Sequence, residues 1–245
     1  MAHRSAQIIA LLACMLSSTA FAGPPYVTDD PDPTDTGHFE IYLFATGTQT
    51  RDGSDGAAGL DISYGAAPDL QLSVTLPLAY ENPDGGPLIG GVANVEIAAK
   101  YRLLHQESHG IDLAVFPRVF LPSASDRVGD QHASLFLPVW VGRHMGKWTT
   151  FGGGGCTLTD SAGVKDSCLI AWALTYRVLE DLELGAEIYH QTPDVDGGRH
   201  TTGLGFGVRF DRSDSLHFVA SIGPGIQNAD ETNQYSAYAA VLFTF

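Results

Sequence analysis

Residues 70–78 have the sequence LQLSVTLPL, in which leucine or valine occupies every second position and most residues between them are polar. Successive side chains of a β-strand point to opposite faces, so this stretch predicts a strand with one apolar face. The same period recurs at residues 95–103, 182–188 and 204–210, where the other face is polar or glycine. No stretch of the mature chain shows a helical period, and the sequence therefore predicts an all-β protein.

The N-terminal segment has the features of a secretory signal peptide. Arg4 precedes an apolar run, and small residues at 20–22 form the expected cleavage site. We therefore predict that residues 1–22 are a signal peptide and that the mature chain is exported. Cleavage at Cys14, as in a lipoprotein, is the alternative, which the continuation of the apolar run past Cys14 disfavours.

Composition narrows the class of protein. The formal charge is −15, from 28 acidic and 13 basic residues, which argues against nucleic acid as a partner because phosphates require a basic surface. Charged residues make up 17% of the chain, against about 25% in soluble domains. After the signal, no apolar run is long enough for a membrane-spanning helix. Such a chain can still enter a membrane as a closed β-barrel.

Breaks in the alternation divide the mature chain into about twelve segments of roughly ten residues, the length of a tilted membrane strand. Six connections are longer and rich in aspartate and glycine, at residues 51–57, 83–87, 122–131, 160–166, 193–199 and 228–234. Five are short, at residues 66–69, 106–110, 144–147, 179–181 and 211–215. Short periplasmic turns and longer extracellular loops are typical of outer-membrane barrels. We predict a transmembrane antiparallel up-and-down β-barrel at residues 38–245, located in the bacterial outer membrane.

The last predicted strand places Phe243 and Phe245 on its apolar face. A terminal strand of this kind resembles the recognition signal of the barrel-assembly machinery, which we predict as a partner together with outer-membrane lipid. Two prolines, Pro117 and Pro138, fall inside predicted strands and lie roughly opposite each other. They indicate either a local bulge or a lateral opening of the wall.

Cys156 and Cys168 are centred on the loop between the seventh and eighth predicted strands, so they should face each other across a hairpin. In an oxidising compartment we predict a disulfide between them. A metal site is not predicted, because two thiols without histidine or carboxylate neighbours form an incomplete ligand set. No cofactor is predicted.

A stiff acidic segment, TDDPDP at residues 28–33, precedes the first predicted strand. Each proline lacks a backbone donor and holds the preceding aspartate extended, so we predict a Pro-rich periplasmic arm over residues 23–37. We hypothesise that the arm folds back and partly closes the periplasmic mouth, pairing its carboxylates with inward-facing bases. The carboxylates are Asp29, Asp30, Asp32 and Asp35, and the bases are Lys100, Arg102, Arg177 and Arg209.

The alternative is that the barrel wall pairs its own charges, and the ease with which cross-strand pairs form favours it. Those pairs would be Arg177 with Glu183, Arg102 with Asp112, and Arg209 with His217.

Strand parity also predicts which charged residues line the pore. They are Glu40, Asp61, Glu96, Lys100, Arg102, Arg118, Arg177, Glu187 and Arg209. Their mixed charge gives no clear ion preference. The glycine run at residues 152–155 and the inward glycines at 185, 203, 205, 207 and 223 leave one side of the lumen without bulky side chains. Glycine in a strand indicates a bend or a close approach by another backbone or a ligand.

Acidic residues in the longer loops form a negative crown. Most such charge is a solvated surface; the alternatives are bridging through divalent ions to lipopolysaccharide, a predicted partner, or attraction of cations to the mouth.

The chain resembles a family of outer-membrane transporters grouped as "MetA-pathway of phenol degradation" proteins. The resemblance rests on five motifs: GPPYVTDDP at 23–31 with GHFE at 37–40, LPVWV at 137–141, WTTF at 148–151, YHQT at 189–192 and GIQNA at 225–229. It implies an outer-membrane barrel that transports hydrophobic or aromatic compounds. The family offers no agreed binding residues to assign here.

The function that we predict is an outer-membrane channel for passive uptake of small, aromatic or hydrophobic compounds as substrates. One alternative is a closed structural or adhesion barrel. A lipid hydrolase is a weaker one, because it would need a serine–histidine pair, and hairpin arithmetic places His190 opposite Ile170 instead of Ser167. We do not predict an enzyme.

Overall fold

A computed structural model describes residues 25–125, 128, 132–160 and 163–245. The signal peptide predicted at residues 1–22 and the first two residues of the predicted arm lie outside these ranges. Within them, no helix is long and apolar enough to cross a membrane.

Strands dominate the structure. They are β1 (Phe39–Thr50), β2 (Gly53–Ala67), β3 (Leu70–Pro83), β4 (Ile89–Val92 and Glu96–Leu104), β5 (Asp112–Val115 and Arg118–Phe120), β6 (Ser134–Met145), β7 (Trp148–Thr159), β8 (Ser167–Arg177), β9 (Leu182–Gln191), β10 (Thr201–Ser213), β11 (Leu216–Gly223 and Gly225–Gln227) and β12 (Tyr235–Thr244). Two one-turn helices, α1 (Gln106–His109) and α2 (Ala229–Thr232), lie in connections.

Each strand pairs antiparallel with its neighbours in sequence, and β1 also pairs with β12 from Glu40↔Thr244 to Gln49↔Tyr235. This pairing closes the sheet on itself and removes its edges, which leaves the backbone hydrogen bonds satisfied within the wall. The predicted antiparallel barrel of twelve strands is confirmed.

The side chains alternate as the sequence predicts. Large apolar residues such as Leu72, Leu78 and Ile170 are exposed on the outer surface, whereas Trp140 and Phe151 are buried on the lumen side. A soluble barrel would bury the first group. The outer surface is therefore that of a barrel embedded in lipid.

The predicted loop at residues 51–57 is wrong. Arg51 and Asp52 alone form the turn, because pairing between β1 and β2 already begins at Thr50↔Gly53. The Asp/Gly composition is typical of a loop, but ladder hydrogen bonds come from the backbone. Glycines also allow β1 and β2 to lie close together here. A Cβ at Gly56 would lie only 2.9 Å from the Cα of Gly47, its partner on β1.

The two strand prolines interrupt the pairing only locally and do not separate the strands. Pro117 divides β5 into two segments, while Pro138 stays within β6 opposite Gly155. The Phe116 amide donates to the Pro138 carbonyl at 3.1 Å, and the Ala99 amide donates to the Pro117 carbonyl at 3.1 Å. Because these hydrogen bonds connect β5 to both of its neighbouring strands beside Pro117, the interruption is a local irregularity of the wall and not a lateral opening.

Cys156 and Cys168 lie directly opposite each other in the β7–β8 hairpin and form a disulfide. Cys156 also pairs with the exposed Leu137 of β6, so the bond lies on the outer face of the wall near the extracellular ends of the strands.

Candidate functional site in the lumen

Residues 25–38, called the arm below, turn back from β1 into the lumen. At the periplasmic end the Gly37 amide donates to the Gly65 carbonyl at 2.8 Å. The arm then passes β6, where Pro31 packs on Gly142, and reaches β11, where the Ser221 hydroxyl donates to the carbonyl of Pro25. The arm therefore crosses the lumen from one wall to the other.

One end of the crossing is held by basic residues of β4 and β5. Lys100 Nζ lies 2.9 Å from Asp29 Oδ1 and 3.5 Å from Asp30 Oδ1. Arg118 Nη2 donates to Asp29 Oδ2 at 2.6 Å. Asp30 is fully buried and Lys100 nearly so, which makes this a desolvated cluster in which charge pairing is strongest.

A second ion cluster lies nearer the periplasm. Arg102 Nη1 lies 3.0 Å from Asp32 Oδ1, and its Nε lies 3.1 Å from Asp69 Oδ1. His144 Nε2 lies 3.1 Å from the other Asp32 oxygen, Oδ2. Beyond it, the Thr34 amide and hydroxyl both donate to Gln71 Oε1, at 2.8 and 3.1 Å.

The opposite wall holds the arm through its backbone. Glu187 of β9 accepts from the Val27 amide at 3.0 Å, from the Thr28 amide at 3.0 Å and from the Thr28 hydroxyl at 2.8 Å. One carboxylate thereby accepts from two backbone donors, of which the Thr28 amide is buried and would be costly to leave unpaired.

The inward glycines make room for Tyr26. A Cβ at Gly207 would lie 2.6 Å from Tyr26 Cε1, and one at Gly185 would also collide with the Tyr26 hydroxyl. The ring packs 6.1 Å from that of Phe151 between their centroids. Of the inward glycines that the sequence predicts to leave the lumen open, Gly185 and Gly207 are thus covered by the arm. Burial raises the pKa of Tyr26, and the charges of Glu183 and Glu187 raise it further.

The two adjacent arm carboxylates titrate differently. Burial acts to raise the pKa of Asp29, but the charges of Lys100 and Arg118 together hold it below its ordinary value. Burial raises the pKa of Asp30 to about 8; Lys100 opposes this shift, and the carboxylates of Asp29 and Asp32 add to it.

The arm hypothesis and its alternative each describe part of the lumen. Asp29, Asp30 and Asp32 contact Lys100 and Arg102, as the arm hypothesis expects. The exposed Asp35 makes no ion pair with a described residue. The remaining bases stay in the wall: Arg177 lies opposite Glu183, and Arg209 Nε contacts Asp211 at 2.8 Å and its Nη2 contacts His217 at 3.2 Å.

Sequence reasoning missed several contacts of the arm. Arg118 and Glu187 were named as pore-lining residues but not as its partners, and His144, Gln71 and Tyr26 were not named. Strand parity placed Arg118 and Glu187 on the inner face and could have placed Gln71 there too, whereas His144 lies in a predicted turn, to which parity does not apply. The fold of the arm within the lumen is a tertiary property that parity does not give.

Two cavities flank the crossing. One, of about 350 Å³, is lined by arm residues and by inward residues of β1 to β5, including Glu40, Asp61 and Glu96. The other, of about 380 Å³, is lined mainly by hydroxyl and amide side chains from β9 to β12. Tyr26, Val27 and Tyr238 border both cavities. The arm is thus the partition between them.

The pair considered for a hydrolase is not assembled. His190 lies opposite Ile170, as hairpin arithmetic expects, and its Nδ1 contacts the Thr202 hydroxyl at 2.8 Å. Ser167 lies opposite Thr157 on the neighbouring strand.

Solved structures share this fold. The COG4313 outer membrane channel from Pseudomonas putida F1 superposes with a TM-score of 0.73 at 13% identity, covering 87% of this chain and 99% of that one. The KdgM porin superposes with a TM-score of 0.60 at 11% identity, covering 84% and 99%. No curated protein sequence matches the chain significantly.

A family model provides the assignment. It matches residues 28–243, which include most of the arm and nearly the whole barrel. The chain belongs to the family described as "Putative MetA-pathway of phenol degradation".

Proposed function

We propose that the protein is an outer-membrane channel through which small molecules diffuse, and that the arm restricts its lumen. The observation that carries the proposal is the pair of cavities, about 350 and 380 Å³, on either side of the arm. Barrels of eight strands are filled by their own side chains and porins of sixteen are wide, so a narrow passage is expected here. The structurally similar COG4313 protein and KdgM are themselves a channel and a porin, which agrees with the proposal.

The substrate class that we propose is small aromatic or hydrophobic compounds. The family description, which refers to phenol degradation, supports it. So do the aromatic rings of Tyr42, Phe44 and Tyr238 on one cavity wall. Aromatic faces favour planar guests through stacked or edge-on contacts.

The second candidate is a closed structural or adhesion barrel. The observation in its favour is the arm itself, which is anchored at both walls by buried ion pairs and hydrogen bonds.

Single-channel conductance in planar bilayers separates the two candidates. The wild type would be compared with the triple variant Asp29→Asn/Asp30→Asn/Asp32→Asn. A matched control, Asp52→Asn/Asp84→Asn/Asp194→Asn, replaces the same number of carboxyl groups at exposed loop positions. A channel restricted by the arm gives openings that grow in the arm variant and stay at the wild-type level in the control. Silence from all three proteins would favour the closed barrel.

The remaining partners are proposals of the same kind. The exposed apolar surface suits lipid, and the loop carboxylates suit lipopolysaccharide bridged by divalent ions. Phe243 and Phe245, both exposed on the outer face of the last strand, suit recognition by the barrel-assembly machinery.

A further inference from the structure

The cavity of about 350 Å³ bordered by β1 to β5, called the acidic cavity below, has an excess of negative charge. Its lining includes seven carboxylates, four of them from the arm, against three basic residues. All three basic residues already contact arm carboxylates: Lys100, Arg102 and Arg118. Of the wall carboxylates, only Glu96 lies within ion-pair distance of one of these bases, which leaves none of the three for Glu40 or Asp61 among the described residues.

Asp61 is the carboxylate most clearly without a counter-ion. It forms no ion pair with any residue that the structure describes, and its buried Oδ1 atom lacks a hydrogen-bond partner there. Glu96, by contrast, has Arg118 Nη1 at 3.7 Å. A buried acceptor left unsatisfied is costly, so Asp61 points to a missing donor.

A second acceptor belongs to the same cavity. Asp30 is fully buried and lines it, and its Oδ2 atom also lacks a partner within the described ranges. Lys100 and the Asp32 amide contact the other oxygen, Oδ1. The wall and the arm therefore each contribute an unpaired oxygen.

Strand register places Asp61 among groups that suit an organic guest. Tyr42, Asp61, Thr75 and Glu96 are direct partners across β1, β2, β3 and β4, so they form one row of inward side chains. Lys100 is four residues beyond Glu96 along β4, about 13 Å nearer the periplasm. The row is thus displaced from the arm's main cation.

Aromatic rings complete the lining. Phe44 and Tyr238 stack with an interplanar angle of 6° and a centroid distance of 6.3 Å. Together with Tyr42 they line the same cavity as the carboxylates, and aromatic rings beside carboxylates are a combination that attracts organic cations. The volume is also within the range of small-molecule sites, about 300 to 1,000 Å³.

A bare metal ion fits these residues less well. Among the described residues, the clusters with three possible ligand atoms within 4.8 Å of one another are Asp32/Asp112/His144 and His105/Glu107/Asp112, and neither includes Asp61 or Glu96. Arg102 also lies 3.0 Å from Asp32 and 3.9 Å from Asp112, which places a cation beside the first cluster.

We infer that the acidic cavity binds small aromatic ammonium compounds, with Asp61 as the counter-ion of the ammonium group and Tyr42, Phe44 and Tyr238 in contact with the ring. This inference rests on the proposed channel function and narrows its substrate class.

The test is calorimetric titration of the refolded mature protein in detergent with benzylammonium, benzyl alcohol and benzoate, corrected against empty micelles. The three probes share a ring and differ in charge. Benzylammonium is expected to bind about tenfold or more tightly than the other two, because only its ammonium group can form a hydrogen bond between two charged groups with Asp61. Equal binding of the alcohol or the benzoate would overturn the inference on the wild type alone.

Three variants locate the site. Asp61→Asn should abolish the preference for the ammonium, and Asp61→Glu should retain it. Asp55→Asn removes the same charge from the same strand outside the cavity lining and should leave the affinity unchanged. An ammonium affinity within about twofold of wild type in Asp61→Asn would refute the role of Asp61.

Binding and permeation are measured separately, so the two proposals can fail separately. Selective binding without conductance would retain the site and overturn the channel. Conductance without selective binding of the ammonium would retain the channel and overturn the site.

Discussion

Lys100 and Asp29 form a buried ion pair, 2.9 Å from Nζ to Oδ1, between the wall of the barrel and the arm that crosses it. The pair joins two parts of the chain that are 71 positions apart in sequence. It is the contact on which docking of the arm should depend most.

Replacing Lys100 with glutamine should therefore loosen the arm. Removing one partner of a buried pair leaves an uncompensated charge, at a cost of about 3–5 kcal/mol. Hydrogen exchange of arm amides should accelerate, and conductance should rise. Lys165→Gln is the matched control, since Lys165 pairs with Asp196 at 3.0 Å on the exposed surface. Unchanged exchange in Lys100→Gln would refute the importance of the pair.

Docking of the arm should weaken as pH rises from about 4 to about 8. Asp30 titrates near its ordinary pKa of 3.8 when the arm is free and has its pKa raised to about 8 when docked. Between these values the docked form binds the extra proton, so raising the pH disfavours docking. Asp29, whose pKa is lowered, stays ionised throughout this window.

Conductance recorded at pH 5 and pH 8.5 checks this expectation and should be higher at pH 8.5. Asp30 faces Asp29, Asp32 and Lys100, and His144 faces Asp32 at 3.1 Å. A protonated His144 would act in the same direction. Asp30→Asn isolates the contribution of Asp30, and an undiminished pH response in that variant would assign the effect elsewhere.

The Tyr26 ring should fit over residue 207 only while that residue is glycine. Gly207→Val should displace the ring, because even a Cβ there would lie 2.6 Å from Tyr26 Cε1. Adding Tyr26→Ala removes the ring with which the valine would collide. The loss of stability in the double variant should therefore be smaller than the sum of the losses in the two single variants. The measurement is the denaturant midpoint of barrel unfolding.

Gly90→Val is the control for valine in a strand, since the nearest atom to a Cβ there, the Ala79 carbonyl oxygen, is at an ordinary 3.5 Å. Strict additivity at Gly207 and Tyr26 would contradict the predicted contact.

Glu187 should protect two named amides. Glu187→Ala leaves the Val27 and Thr28 amides without their acceptor, so their hydrogen exchange should accelerate by at least about tenfold, as expected for loss of bonds to a charged group. Glu183→Ala, on the same strand and face, is the comparison. Equal protection of both amides in the two variants would contradict the assignment.

The disulfide should stabilise the barrel without affecting the arm. Cys156 and Cys168 are separated by 12 positions, for which chain entropy predicts about 3 kcal/mol. Cys156→Ser/Cys168→Ser should lower the free energy of unfolding by up to this amount and leave conductance unchanged. A change in conductance would indicate that the hairpin influences the lumen.

The barrel could be predicted from the sequence because its main determinants are local. Alternation such as that of residues 70–78 fixes which side chains face lipid, and turn residues fix where strands end. The error at residues 51–57 arose because glycine has no side chain and so adds nothing to the apolar–polar alternation that indicates a strand, although its backbone pairs normally.

The arm's path could be predicted less well. Four aspartates and four bases near one end of a barrel allow many pairings. Carboxylates of the wall also compete with the arm for the bases, as Asp211 does for Arg209 on the same strand. Which pairings form depends on where the arm turns, and this is set by contacts with no sequence period, such as Thr34 with Gln71 and Tyr26 with Gly207.

The covalent connection of the arm to β1 makes its docking an intramolecular reaction. Because the arm continues directly into β1, its effective concentration at the lumen is on the order of millimolar, as for ligands on short linkers. A synthetic peptide with the sequence of residues 25–35 would thus compete with the arm only near that concentration. A solute that displaces the arm must compete with a covalently tethered segment, so its apparent Kd is its intrinsic Kd divided by the fraction of time that the arm leaves the lumen free.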